Sequence, residues 1–243
     1  PGGLKAYLMT RHIRQIIMWP LAIVLLVLAP IAEPRTTWYT IEIIVFQHLS
    51  NDGLYTEHWP ADPGRPAIED AIPLVVGTSE ESAEAFDSKI FHLLGSSEFQ
   101  LGEAAGRLKR SGGYRPLLHV AWRQPGYTRS EARKVHIHSD LPNRFRDTDG
   151  LGISLNHVIE GTLRLSRARY LHLDADLLHH RQIPFDAPTE GTMFRLQDSR
   201  RMRSKEVHYI DHPLVGLLVL VTPYEPLEEE LEADEVSQNP DAS

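Results

Sequence analysis

The sequence predicts an α+β domain, a mostly antiparallel β-sheet of six to eight strands with one principal helix packed on it. Three observations carry this. Residues 37–48 (TWYTIEIIVFQH) are rich in β-branched and aromatic side chains, residues 98–110 hold the clearest helical apolar period, and residues 114–222 return repeatedly to the two-residue alternation of strands.

The elements follow in order. Residues 37–48 are apolar on both faces from Ile41 to Phe46, interrupted only by Glu42, and so read as a central strand. Residues 51–73 read as irregular. Asn51-Asp52-Gly53 is a turn signal, and Pro60, Pro63, Pro66 and Pro73 deny a regular ladder. Within them, His58-Trp59-Pro60 offers an aromatic side chain on a loop. Residues 79–84 are acidic and read as the start of a short helix, followed by a small apolar cluster of Phe91, Leu93 and Leu94.

In residues 98–110, Leu101, Ala104, Ala105 and Leu108 recur at i, i+3, i+4 and i+7. Ser96 or Ser97 is the expected cap, Lys109 and Arg110 suit the negative end of the dipole, and Gly112 or Gly113 stops the helix. Gly102 and Gly106 each cost about 1 kcal/mol in a helix interior, which points to a close approach to the sheet.

Leu118, Val120 and Trp122 share one parity in a strand at 114–123. Val135 and Ile137 oppose His136 and His138 at 134–139, and 140–152 is a polar loop. Residues 158–178 are too long for one flat strand. Their apolar parity is broken by Arg167 and Arg169, so a bend, bulge or turn is expected at 166–169. Ala187-Pro188 and Glu190-Gly191 lead to a strand at 192–202. A last hairpin joins 207–210 to 216–222 through His212-Pro213.

The ends of the chain differ from its body. Arg11 and Arg14 precede an uncharged apolar run of 17 residues at 16–32 that ends in Ala32. This is the layout of a secretory signal peptide over residues 1–32, with an uncleaved anchor as the alternative. Residues 225–243 hold eight of the acids behind the formal net charge of −8 and no Lys or Arg, and read as a disordered acidic tail. Residues 33–224 then form a single domain of near-neutral charge, which offers nucleic acid no basic footprint. The absence of Cys excludes disulfides, thiolate metal sites, a Cys nucleophile and a lipid-modified Cys.

Arginine is the residue type that points to ligand chemistry. Arg164, Arg167, Arg169, Arg195, Arg200, Arg201 and Arg203 lie in two segments that could share a sheet. A planar guanidinium fork suits carboxylates, and Tyr170, Trp122 and the loop-borne Trp59 could stack on sugar rings. The alternative is a solvated strand face, with the arginines paired to Glu160, Asp174, Asp176 or Asp198. His172, Asp174 and Asp176 share a face, yet no metal motif such as HExxH is present and structural hydrogen bonding is the better reading. No G-x-S-x-G elbow or Gly-rich phosphate loop occurs.

Three blocks are distinctive: RLKRSGGYRPLLHVAWRQP (107–125), EGTLRLSRARYLHLDADLL (160–178) and TMFRLQDSRRMRSKEVHYIDHPLVGLLVLVTPY (192–224). Over residues 38–224 the chain resembles the CsiV family of periplasmic peptidoglycan-binding proteins. The resemblance implies a non-catalytic, cofactor-free protein of the periplasm that binds peptidoglycan and supports wall assembly and cell shape. It also implies a partner among the lipoprotein activators of class A penicillin-binding proteins. The competing expectations are a peptidoglycan hydrolase, with Asp174 and Asp176 as paired acids or with metal assistance, and a pure protein adaptor. Ligand contact is expected at Arg167, Arg169, Tyr170, Arg195, Arg200, Arg201, Trp122 and Trp59.

Overall fold

Strand β1 (Trp38–His48) is apolar on both faces, and the computed structural model buries both. It describes residues 36–74, 91–140, 157–181 and 192–226. The expected leader, the acidic segment at 79–84, most of the loop at 140–152, the turns at 187–191 and the tail beyond 226 lie outside the described residues. No helix among the described residues is long and apolar enough to cross a membrane.

The remaining elements are α1 (Asp52–Thr56), β2 (Ile72–Pro73), β3 (His92–Leu93), α2 (Gly102–Arg110), β4 (Tyr114–Pro125), β5 (Val135–Asp140), β6 (His157–Arg167), β7 (Leu171–His180), β8 (Met193–Met202), β9 (Val207–Ile210) and β10 (Val215–Tyr224). They form two five-stranded sheets. Sheet A has the order β3-β4-β1-β10-β9 and sheet B the order β2-β5-β6-β7-β8. All described pairings are antiparallel except β2 with β5.

The α+β class holds, but two sheets replace the expected single sheet of six to eight strands. The reason lies in the parities. Strands β5, β6 and β7 have one apolar face each, which needs an apolar cover. The main core supplies it: Ile41, Ile43, Val120, Trp122, Leu217 and Val219 of sheet A meet Ile137, Leu163, Leu165, Leu173 and Leu177 of sheet B. β1 and β10 are apolar on both sides, so sheet A is the inner layer. Its outer face receives α2, where Leu101, Ala104, Ala105 and Leu108 pack on Ile44, Phe46, Leu218 and Leu220. The apolar period of the helix therefore does what the sequence predicts.

The helix start differs. A 3₁₀ turn (Ser96–Glu98) precedes α2, and no serine caps it. Glu42 of β1, 2% exposed, supplies the acceptors instead. Its Oε2 accepts the Gln100 N–H at 2.7 Å and its Oε1 the Leu101 N–H at 2.8 Å, while Nε2 of His119 on β4 lies 2.7 Å from Oε1. Burial alone would raise the carboxyl pKa. The hydrogen bonds from His119, Gln100 and Leu101 outweigh it and hold Glu42 below the usual carboxylate range. A negative charge at the positive end of a helix gains further from the dipole. The glycines of α2 do not mark the expected close approach: a Cβ at Gly102 would meet nothing within 4 Å, and one at Gly106 only the Arg110 side chain.

The expected break in 158–178 is a hairpin. β6 and β7 pair from Ile159↔His179 to Arg167↔Leu171 and turn through Ala168–Tyr170. Gly161 is required there, because a Cβ would lie 2.1 Å from the Asp176 carbonyl oxygen at φ 157°. The last hairpin joins β9 to β10 as expected. Residues 51–73 are more regular than expected: Asp52 opens α1, and Ile72–Pro73 adds to β5. Phe91 and Leu94 are buried, whereas Leu93 is exposed.

One end of the sandwich is closed by cations and imidazoles. Arg181, just past β7, donates to the carbonyls of His48 (3.0 Å), Leu49 (3.4 Å) and Ser50 (3.0 Å) and to Asn51 Oδ1 (2.7 Å), which ties sheet B to the loop after β1. His179 is fully buried and donates from Nδ1 to the Val158 carbonyl at 3.1 Å. Burial, with help from the charge of Arg181, pushes its pKa down to about 4. His212 is likewise lowered to about 4, chiefly by burial, and its Nδ1 accepts the Leu214 N–H at 3.2 Å.

Two outcomes are expected. Glu42→Leu strands two backbone N–H groups and a histidine, so denaturant unfolding should show a loss of about 2–4 kcal/mol. A change below about 0.5 kcal/mol would contradict the anchoring role. The histidines set a pH dependence. Between about pH 6.5 and 4 the unfolded chain takes up protons at positions 179 and 212 that the folded chain refuses, so stability falls on acidification, by up to about 1.4 kcal/mol per pH unit for each. Unfolding midpoints at pH 7 and pH 5 check this, with His179→Gln expected to flatten the profile. A flat wild-type profile would overturn the burial argument.

Candidate functional site

The outer face of sheet B is polar, and its register decides which arginines are committed to structure. β7 lies between β6 and β8, so Arg164 sits opposite Asp174 and Asp174 opposite Ser199, while Ser166, His172 and Arg201 form the next row. The two arginine-bearing segments share a sheet but do not pair with one another.

Asp174 is saturated. Arg164 donates to its Oδ2 from Nη2 at 2.6 Å and from Nε at 3.0 Å, Ser199 Oγ donates to Oδ1 at 2.6 Å, and Arg129 Nη2 lies 3.4 Å from Oδ1. Burial alone would raise its pKa, but the bonds from Ser199 and Arg164 leave it lowered. Asp176 takes a two-point contact from Arg195, Nε–Oδ1 at 2.8 Å and Nη2–Oδ2 at 2.9 Å. A glycosidase acid needs a free proton position, and both carboxylates are engaged by arginine forks, so this pair does not suit the hydrolytic role. Among the described residues, no group of three or more His, Cys, Asp or Glu could hold a metal ion.

The β6–β7 turn is the exposed part of this face. The Arg167 N–H donates to the Tyr127 carbonyl at 2.7 Å and the Ala168 N–H to the Tyr170 carbonyl at 2.9 Å, which fixes the tip against the loop after β4. Tyr170 is 37% exposed. The guanidinium carbon of Arg201 lies 4.7 Å from its ring centroid and that of Arg169 lies 5.7 Å away. Both arginines are exposed, and among the described residues neither forms an ion pair. Arg129, 60% exposed at its side chain, reaches the same sheet face through Asp174.

The eight expected contact residues therefore divide. Arg169, Tyr170 and Arg201 come together. Arg200 follows the parity of Leu196 and Met202, so it leaves β8 on the side opposite Arg201 despite being exposed. Arg167 leaves the rim toward sheet A, with Nη1 3.3 Å from Thr37 Oγ1. Arg195 is structural: besides Asp176 it holds the Pro-rich loop through the Pro63 carbonyl at 3.1 Å. Trp122 is a correction. It is fully buried in the core, its Nε1 donates to Gln124 Oε1 at 2.8 Å, and no sugar can reach it. Trp59 is half-buried. Its Nε1 donates to the Gly53 carbonyl at 3.1 Å, and its ring stands edge-on to Phe194 at 5.0 Å and beside His212 at 5.4 Å.

Sequence reasoning missed Arg129, which only the fold of the loop after β4 brings to Asp174. It also missed an aromatic surface on the outer side of sheet A. The rings of Phe46 and Tyr209 lie over Gly216, where a Cβ would be 2.5 Å from Phe46 Cζ. Tyr114 stands edge-on to Phe46 at 5.3 Å. Tyr114, Val207 and Tyr209 are exposed. Phe46, Tyr114 and the β9 pair Val207 and Tyr209 come from three distant parts of the chain, so no local motif announces them.

A comparison with protein families matches the CsiV model, described as a peptidoglycan-binding protein, over residues 17–224. No curated protein and no solved structure matches the chain. The matched span contains both sheets, α2 and the Arg169–Tyr170–Arg201 turn. The chain belongs to the CsiV family of peptidoglycan-binding proteins.

Proposed function

We propose that this protein is a non-catalytic peptidoglycan-binding factor of the periplasm that supports wall assembly and cell shape. Its wall-facing surface is the β6–β7 turn. The observation that carries this reading is a pair of arginines, Arg169 and Arg201, set on one exposed tyrosine ring without acid partners among the described residues. Neighbouring arginines are neutralised by Asp174 and Asp176, so these two keep their donors for a ligand.

Family membership supports the ligand, and the signal-like layout of residues 1–32 supports export. The proposal includes a protein partner, a lipoprotein activator of a class A penicillin-binding protein. The aromatic surface of Tyr114, Val207 and Tyr209 supports such a contact, because it lies on sheet A, on the opposite side of the sandwich from the arginine turn. A protein with these two surfaces can hold the wall and the synthetic machinery at once.

Sedimentation with purified sacculi tests the function. The full chain should pellet with sacculi, release no soluble muropeptides, and bind less as salt rises, because exposed charge contacts are screened within about 8–10 Å at physiological ionic strength. Release of soluble fragments would contradict the non-catalytic reading. Failure to pellet at low salt would leave the adaptor role in its place.

A further inference from the structure

We infer that the Arg169–Tyr170–Arg201 turn reads the free carboxylates of the peptidoglycan stem peptides and does not stack on the sugars. The inference rests on the proposal that this turn is the wall-binding surface, and deepens it.

Three observations point the same way. First, the three aromatic side chains expected to carry a sugar are taken. Trp122 is fully buried, Trp59 is edge-on to Phe194 and hydrogen-bonded, and Tyr170 has guanidinium carbons at 4.7 Å and 5.7 Å from its centroid. A sugar needs a bare ring face, whereas a ring flanked by cations holds those cations in place. Second, the guanidinium groups are donors only. Sugar hydroxyls and N-acetyl groups ask for donors and acceptors together, while a carboxylate is acceptor-only and takes a guanidinium fork at two points. Third, the acceptors that could serve a sugar are occupied. Asp174 accepts from Arg164, Ser199 and Arg129, and Asp176 from both ends of the Arg195 fork. What the turn leaves open is positive charge on a rigid plate, and the matching groups of the wall are the carboxylates along its stem peptides.

Carbodiimide-amidated sacculi keep the glycan and lose those carboxylates, so they separate the two chemistries. Native and amidated sacculi are offered to the wild-type chain, to R169A/R201A and to R200A, with unfolding midpoints confirming that each variant folds. All three positions are exposed, and such substitutions cost little stability. The wild-type chain should bind amidated sacculi roughly tenfold or more weakly than native ones, as expected for lost charge-assisted hydrogen bonds. R169A/R201A should bind native sacculi as weakly as the wild type binds amidated ones, and R200A should match the wild type. A soluble stem tripeptide should compete and chito-oligosaccharides should not.

Equal wild-type binding to native and amidated sacculi, with R169A/R201A still impaired, would overturn the carboxylate inference and leave the turn as a wall site. Undiminished binding of R169A/R201A to native sacculi would remove the site itself. Capture by anionic phospholipid vesicles at the same affinity would overturn the commitment to stem peptides, since the turn would then be reading any anion.

Discussion

A carboxylate buried inside β1 is the interaction on which the layering depends. β1 is apolar on both faces and must be covered on both. Sheet B covers one side with a continuous apolar core. On the other side α2 has only one narrow apolar stripe and a glycine-bearing sequence, which is a weak helix by itself. Glu42 compensates. It binds the N–H groups of Gln100 and Leu101 at the mouth of the helix and meets His119 on the neighbouring strand, so one side chain fixes strand, strand and helix together. Because β1 is held in this way, its first residues are fixed too. Thr37 then accepts the Gly126 N–H at 2.8 Å, and the loop that follows holds the β6–β7 turn through Tyr127. The geometry of the exposed turn is therefore inherited from the centre of the fold.

The same economy governs the charges of sheet B. β7 carries two acids on its outer face, Asp174 and Asp176, and each is given to an arginine of a different strand. Those pairs are half-buried and lock β6 to β7 and β7 to β8. They remove Arg164 and Arg195 from the pool of ligand-binding groups. In the row next to Asp174, no acid among the described residues pairs with Arg201, and Tyr170 is its neighbour instead. Sheet register, more than the number of arginines, separates the structural cations from the available ones.

Much of this was legible in the sequence. The two-faced character of 41–46 marked β1 as central, the period of Leu101, Ala104, Ala105 and Leu108 marked the buried face of α2, and the misplaced Arg167 and Arg169 marked the β6–β7 turn. The burial of Trp122 was legible as well, since it shares the parity of Leu118 and Val120, and so was the divergence of Arg200 and Arg201 on adjacent positions. Reading them as ligand contacts set residue type above position. Other features were out of reach. Parity says which side of a strand is apolar but not which sheet it joins, so the split into two sheets was hidden. The partners of Glu42 lie 58 and 59 residues away, and those of Arg181 about 130, and no local pattern links them.

The central claim is a division of labour among arginines on one sheet face. Nε–Hε NMR resonances of arginine report each guanidinium separately, so titrating the ¹⁵N-labelled protein with soluble muropeptides tests it most directly. Arg169 and Arg201 should shift with a common affinity while Arg164 and Arg195 stay in place. Shifts centred on Arg164 and Arg195, or none at Arg169 and Arg201 under saturating ligand, would contradict it.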